Sequence, residues 1–313
     1  MHKTVHGVTG KESQVTNEME ITVAKSAGFC FGVKRAVSLV YEETEKREAG
    51  EMRERPVYTI GPIIHNEIVV NDLRNKGVRV LGDDLKRVED GEPPEPGSTV
   101  IIRSHGIPKE MHEKLSRQGL HVVDATCPFV RKIHDIVDEK SREGCAIVII
   151  GDPSHPEVIG IRGWAGSECY VVMTSDDIRK LKDIKKDRLC IVAQTTFNFR
   201  KFQELVEIIG KLGYDVVVMN TICNATRERQ IEAMELAGSS DVMLVIGGHN
   251  SSNTQKLFDI CRSQCGRTWF VSDPDDLRDI HFEAGDKVGI TAGASTPNTI
   301  IQEVSQHVRR AEL

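Results

Sequence analysis

Long apolar runs are missing from this chain. Nothing in its 313 residues approaches the roughly 20 consecutive apolar positions of a membrane-spanning helix, so no such span is expected. A basic excess is missing too: 41 lysines and arginines face 47 acids, a formal net charge of −6. Without a broad basic surface, sequence-independent binding to nucleic acid is not expected, and no basic-faced helix offers itself for reading DNA. The first 18 residues, MHKTVHGVTGKESQVTNE, lack an apolar signal core. They contain no arginine and carry Glu12 and Glu18, which speaks against an organelle-targeting peptide; they read as a flexible leader. Local Cys-x2-Cys pairs are absent as well, as is any secreted disulfide framework. A reducing cytosol is the expected compartment.

What is present suits a globular chain long enough for two or three domains, with 39% hydrophobic and 28% charged residues. Eight cysteines need sorting. Cys145 and Cys190 lie in the apolar runs CAIVII and LCIVA and read as small core residues, as does Cys169 in SECYVVM. Cys261 and Cys265 stand four apart on an expected helix, with no third metal ligand nearby.

Cys30, Cys127 and Cys223 remain, separated by 97 and 96 residues. Each sits where a strand hands over to a helix. In 120-LHVVDATCPFV-130, Leu120, Val122 and Val123 read as buried strand, and Pro128 suits the first position of a helix. A sulfur at that helix end should be stabilised as thiolate. The following loops repeat in step: Gly61, Gly151 and Gly247 lie 90 and 96 residues apart, and His105, Thr195 and Ser295 lie 90 and 100 apart. The chain therefore reads as three βα units of about 95 residues with parallel sheets. Ligands of such sheets bind beyond the carboxyl ends of the strands, so nine strand-end loops are expected to meet in one cavity. The expected organisation is a leader over 1–19 and units over 20–125, 126–221 and 222–313, carrying Cys30, Cys127 and Cys223 in turn. VEDGEPPEPGST (88–99) reads as a solvated loop.

One thiol per unit makes a ligand set for a soft metal centre. Zinc generally asks for four ligands; a cubane held by three thiolates leaves one iron open to substrate as a Lewis acid. Three unconnected buried thiols are the plain alternative. The other loop residues describe a ligand. His65, His105 and His155 follow strand ends, and Thr195, Thr196, Ser251, Ser252, Asn253, Ser295 and Thr296 add short donors. Ser251–Asn253 and Ser295–Thr296 precede helix patterns, where free N–H groups accept anions, although each could be a simple cap. Together they suggest a phosphate or diphosphate. Glu157 in SHPEV is the acid coupled to a loop histidine; desolvation would make it a proton donor, and a surface glutamate in a first helical turn is the alternative.

The segments AGFCFGVKRAV, GPIIHN, RSHG, DATCPFV, HPEV, QTT, ICNATRERQ, NSSNT and TAGASTP occur in this order from about Ile21 to the C-terminus. Together they resemble the IspH/LytB family, the 4-hydroxy-3-methylbut-2-enyl diphosphate reductases of the non-mevalonate isoprenoid pathway. The resemblance implies three similar α/β domains in a pseudo-threefold, trefoil-like arrangement around a [4Fe–4S] cluster on Cys30, Cys127 and Cys223. It implies an allylic diphosphate bound by His65, His105, His155, Thr195, Thr196, Asn224, Thr226, Ser251, Ser252, Asn253 and Ser295, with its hydroxyl at the open iron. It further implies Glu157 as proton donor, Thr195 as helping to position the substrate hydroxyl, His155 as a further catalytic residue, and ferredoxin or flavodoxin as electron donor. The fused ribosomal-protein-like tail of some relatives is not seen before Leu313, and the polar leader departs from shorter members. Two rivals differ in output. A quinolinate-synthase-like enzyme would use its cluster as a Lewis acid without consuming electrons, and an iron–sulfur sensor would need an output element that is not found.

Overall fold

Strands and helices alternate along residues 18–48, 56–82, 94–182 and 184–310, the residues described in the computed structural model. The expected leader lies outside them apart from residues 18 and 19, and so does the 88–99 loop apart from 94–99. The chain opens with β1 (Glu20–Val23) and α1 (Phe31–Glu48). The next stretch carries β2 (Val57–Ile60), α2 (Glu67–Asn75), β3 (Val78–Leu81), β4 (Thr99–Ile102), α3 (Lys109–Ser116) and β5 (His121–Asp124). Helix α4 (Pro128–Arg142) then leads to β6 (Ala146–Ile150), α5 (Pro156–Arg162), β7 (Cys169–Val172), β8 (Arg188–Ala193), α6 (Phe199–Gly210) and β9 (Asp215–Val218). The last third holds α7 (Asn224–Gly238), β10 (Val242–Ile246), α8 (Ser252–Arg262), β11 (Thr268–Val271), β12 (Lys287–Ala292) and α9 (Asn298–Arg310).

These strands make three parallel four-stranded sheets of one topology: β3-β2-β4-β5, β7-β6-β8-β9 and β11-β10-β12-β1. The α/β architecture with three similar units is thus as expected. The expected boundary at residue 20 is corrected. Strand β1 pairs with β12, Val23 opposite Ile290, and so completes the third sheet instead of joining the first. The reason lies in the repeat itself. In every sheet the fourth strand is the one that runs into a cysteine, β5 into Cys127, β9 into Cys223 and β1 into Cys30. The first described strand is thus the last strand of the third sheet.

The central strands read correctly because parallel sheets covered on both faces need unbroken apolar runs. Along β6, Ala146, Val148 and Ile150 enter one core, while Ile147 and Ile149 enter the core on the opposite face. Strand β10 divides the same way, Val242, Leu244 and Ile246 against Met243 and Val245. Each fully buried Ile or Val contributes roughly 1.5–3 kcal/mol. Leu120, Val122 and Val123 are only half-buried, because β5 is an edge strand. Cys145 and Cys190 are fully buried, and Cys169 is half-buried at the head of edge strand β7. Cys261 is buried on α8, but Cys265 lies past that helix's end; both join the apolar core beneath α7. All eight cysteines are free. No helix among the described residues is long and apolar enough to cross a membrane.

Candidate active site

The sheet topology brings three pairs of loops to one place. The backbone N–H of Cys30 donates to Ala294 O (3.2 Å), that of Cys127 to Ser104 O (2.9 Å) and that of Cys223 to Thr195 O (3.1 Å). Each carbonyl belongs to the loop after the third strand of its sheet, so every cysteine is pinned to a loop expected to bind ligand. Each cysteine carbonyl also accepts the first bond of the following helix, from Lys34, Arg131 and Arg227. The three cysteines are thus equivalent N-terminal caps of α1, α4 and α7.

Their thiols lie near enough to act on one another. The Cys127 thiol is pushed up to about 11 by burial; the N–H groups of Phe129 and Val130 pull it down, and the Cys30 and Cys223 thiols push it further up. Burial likewise raises Cys223, with Cys30 and Glu157 adding to the effect. At Cys127 and Cys223 desolvation thus outweighs the pull of the helix N–H groups, contrary to the expected thiolate. Gly32 leaves room for the sulfur. A Cβ there would lie 2.4 Å from Cys127 Sγ. Gly32→Ala is expected to cost about 1–3 kcal/mol in overpacking and to lower the metal retained after anaerobic reconstitution. Unchanged metal content would contradict this.

On the ligand side, His65, His105 and His155 pack ring against ring, with centroids 4.5, 5.5 and 5.4 Å apart. All of their nearest donor atoms lie within 4.8 Å of one another. They line a cleft of ≈ 60 Å³ together with Ser104, Glu157, Thr196, Ser251, Ser252, Asn253 and Ser295, so all three units contribute. A wider cavity of ≈ 340 Å³ between α2 and the Gly247–Asn250 loop shares Ile64 and His65 with it. Two hydroxyl contacts close the units on one another, Thr196 Oγ1 to Ser252 Oγ at 3.2 Å and Ser295 Oγ to His65 O at 3.3 Å, and a third, Ser295 Oγ to Ser251 Oγ at 3.3 Å, lies within the last unit. Several buried polar atoms here have no partner within the protein, namely His65 Nε2, His105 Nδ1 and both amide atoms of Asn253. Such atoms are costly unless a ligand satisfies them.

Burial depresses His65 to about 4 and His155 to about 3, and holds His105 well below its ordinary value; Arg103 adds to all three shifts. The folded pKa lies below the unfolded one. The stability tied to neutral histidine is therefore complete above about pH 6.5 and is lost as pH falls toward 4, where the unfolded chain takes up protons first. The urea midpoint is expected to fall across this range, and less steeply in His155→Asn. Parallel profiles would count against a buried neutral cluster.

Glu157 is the second residue of α5, two after the cap His155, whose Nδ1 accepts from the Glu157 N–H (3.2 Å). The residue is only 2% exposed. Thr195 grips it twice, N–H to Oε1 at 2.6 Å and Oγ1–H to Oε2 at 2.7 Å. Burial raises this acid to about 7 despite those two bonds. It is thus a carboxyl that carries a proton near neutrality, a trait of donors in catalysis.

Comparison with known proteins bears on the same residues. The LytB protein profile matches residues 21–309. The chain belongs to the LytB family. A relative from Caldanaerobacter subterraneus is 43% identical over 291 residues, spanning 93% of this chain and 97% of its own. One from Aquifex aeolicus is 44% identical over 295 residues, spanning 93% and 96%. Both are named 4-hydroxy-3-methylbut-2-enyl diphosphate reductase. A solved structure of that reductase, described as the terminal enzyme of the non-mevalonate pathway, superposes with a TM-score of 0.67 at 43% identity, covering 93% and 99% of the two chains. The E-1-hydroxy-2-methyl-but-2-enyl-4-diphosphate reductase of Plasmodium falciparum gives 0.80 at 27% identity, covering 94% and 88%.

Within this LytB chain, Asn224 is exposed at the first position of α7, and Thr226 is buried in that helix's first turn, right after Cys223. Thr195 is tied to Glu157 by its N–H and its hydroxyl. Two residues near the cleft were missed by sequence reasoning. Arg103, 5% exposed, folds against Gly61, where a Cβ would lie 2.2 Å from its guanidinium and where φ is +63°. Gln194 accepts from Asp152 N (3.1 Å) and donates to Thr196 and Ser252. The signal was adjacency: Arg103 precedes SHG, and Gln194 opens QTT.

Proposed function

We propose that this chain reduces 4-hydroxy-3-methylbut-2-enyl diphosphate to isopentenyl and dimethylallyl diphosphates in a reducing cytosol. In this reading Cys30, Cys127 and Cys223 hold a [4Fe–4S] cluster, and ferredoxin or flavodoxin delivers electrons. The observation that carries the reading is the threefold pinning of three cysteine caps to three ligand loops, which brings a soft donor set beside a polar cleft. The donor set fits the cluster: one thiol per unit, at Cys127 and Cys223 with helix N–H groups that partly offset the burial opposing the anion. Bound there, such a cluster supplies electrons singly and, at the iron without a protein thiolate, a Lewis acid.

The remaining work falls to side chains. The histidine trio has donor atoms close enough for a single metal ion, but Arg103 sets a positive charge against all three rings. That arrangement repels a cation and favours an anion, which supports diphosphate as its ligand. The free N–H groups at the start of α8 and the hydroxyls of Ser251 and Ser295 extend the anion site. Glu157 holds a proton, and Thr195 Oγ fixes it for transfer. The balance is two electrons and two protons per substrate: the allylic C–O bond breaks, one proton leaves with the oxygen as water, and one C–H bond forms. Enclosure by three units keeps bulk water from the reacting carbon.

Anaerobic turnover with a dye reductant and the allylic diphosphate tests this. Two electrons consumed per isoprenoid diphosphate formed is the expected stoichiometry. Product formed without electron uptake would instead support the Lewis-acid reading.

A further inference from the structure

Helix α7 does more than present Cys223. Two turns in, Arg229 is only 3% exposed, and its guanidinium reaches across to the segment that leads to Cys30. Nε donates to Ser26 O at 2.9 Å, and Nη2 donates to Gly28 O at 2.8 Å as well as to Ser26 O. Glu232, on the next turn, accepts from the N–H groups of Lys25 (2.7 Å) and Ser26 (2.9 Å) and from the Ser26 hydroxyl. One helix therefore fixes the cysteine at its own cap and clamps the approach to another.

The clamp leaves one group unexplained. Arg229 Nη1 is buried and has no hydrogen-bond partner. A buried guanidinium with an idle donor is costly unless a negative charge lies close. Once ionised, the Cys30 and Cys223 sulfurs would be the foremost charges acting on it, ahead of Glu232 and Glu228.

We infer that Arg229 is a positioning residue that sets the Cys30–Cys223 spacing and places a buried cation against the cluster carried by the three cysteines. This rests on the proposed cluster. A cubane on three thiolates is anionic and gains a further negative charge on reduction, so an adjacent fixed cation favours the reduced state and raises the midpoint potential. Hydrogen bonding, charge and burial around a cluster are the protein's means of setting that potential.

The experiment is an anaerobic redox titration of reconstituted full-length protein, followed by EPR, with iron release to a chelator measured in parallel. Arg229→Met removes charge and clamp; Arg229→Lys keeps charge but cannot span both carbonyls; Glu232→Gln keeps an acceptor and removes the opposing charge. Arg229→Met is expected to shift the midpoint negative, and Arg229→Lys to keep a midpoint near wild type while releasing iron several-fold faster. Glu232→Gln is expected to shift the midpoint positive. Opposite shifts for the methionine and glutamine variants are what a purely structural tie would not produce. Should Arg229→Met take up no cluster, Glu232→Gln decides by the sign of its shift. An unchanged midpoint in Arg229→Met, or a negative shift in Glu232→Gln, overturns the inference. Wild-type protein without a [4Fe–4S] signal would instead overturn the cluster reading itself.

Discussion

Cys127→Ala is expected to lose iron–sulfur binding and turnover together. Cys127 caps α4, is held by Ser104 O and lies near enough to Cys30 and Cys223 for their thiols to act on its own. No other cysteine can replace it, since Cys145, Cys169 and Cys190 pack in the second unit's core and Cys261 and Cys265 in the third's. Cys145→Ala is the control. It removes one buried sulfur from an apolar site and should cost about 1 kcal/mol of stability, with iron content unchanged. Equal iron in the two variants would contradict the assignment of the ligand trio.

Glu157→Gln should lower turnover by roughly 10²- to 10⁴-fold, the range for loss of a positioned general acid. The glutamine keeps the size of the side chain and an acceptor for the Thr195 N–H, so cluster content should stay at the wild-type level. The pH profile carries the sign. Burial raises the acid to about 7, and the protonated form is the donor, so wild-type turnover should decline as pH rises through that value. The variant should lack this alkaline limb. A variant as fast as wild type, or one with the same limb, would remove Glu157 from the role.

The parts of the fold that could be read in advance are those fixed by local pattern. AIVII, LCIVA and VMLVI announce central strands because both of their faces are buried. The equal spacing of the cysteines announces a threefold repeat. Strand β1 was misplaced because four residues reveal nothing about their partner; pairing across most of the chain is set by the closure of the third sheet. The same limit applies to charge. A helix N-terminus predicts a thiolate at Cys127, but the extent of burial around a sulfur belongs to the folded molecule, and burial wins.

The site divides along similar lines. His65, His105, His155, Ser251 and Ser295 were legible because strand ends and helix caps mark them, and the fold brings them to one cleft. Glu157 and Thr195 were named as separate candidates, and their 2.7 Å bond is a tertiary fact. Asn224 and Thr226 come from the family resemblance alone; in the fold they occupy the first turn of α7, one exposed and one buried. Arg229 was invisible because its partners, Ser26 and Gly28, lie about two hundred positions earlier in the chain.

The most direct test is Mössbauer spectroscopy on anaerobically reconstituted, iron-57-labelled protein, before and after adding the allylic diphosphate. The account predicts about four irons per chain in a cubane, with one distinct iron whose signal alone moves when the diphosphate is added. Fewer irons, or a full cluster whose spectrum ignores the added diphosphate, would contradict it.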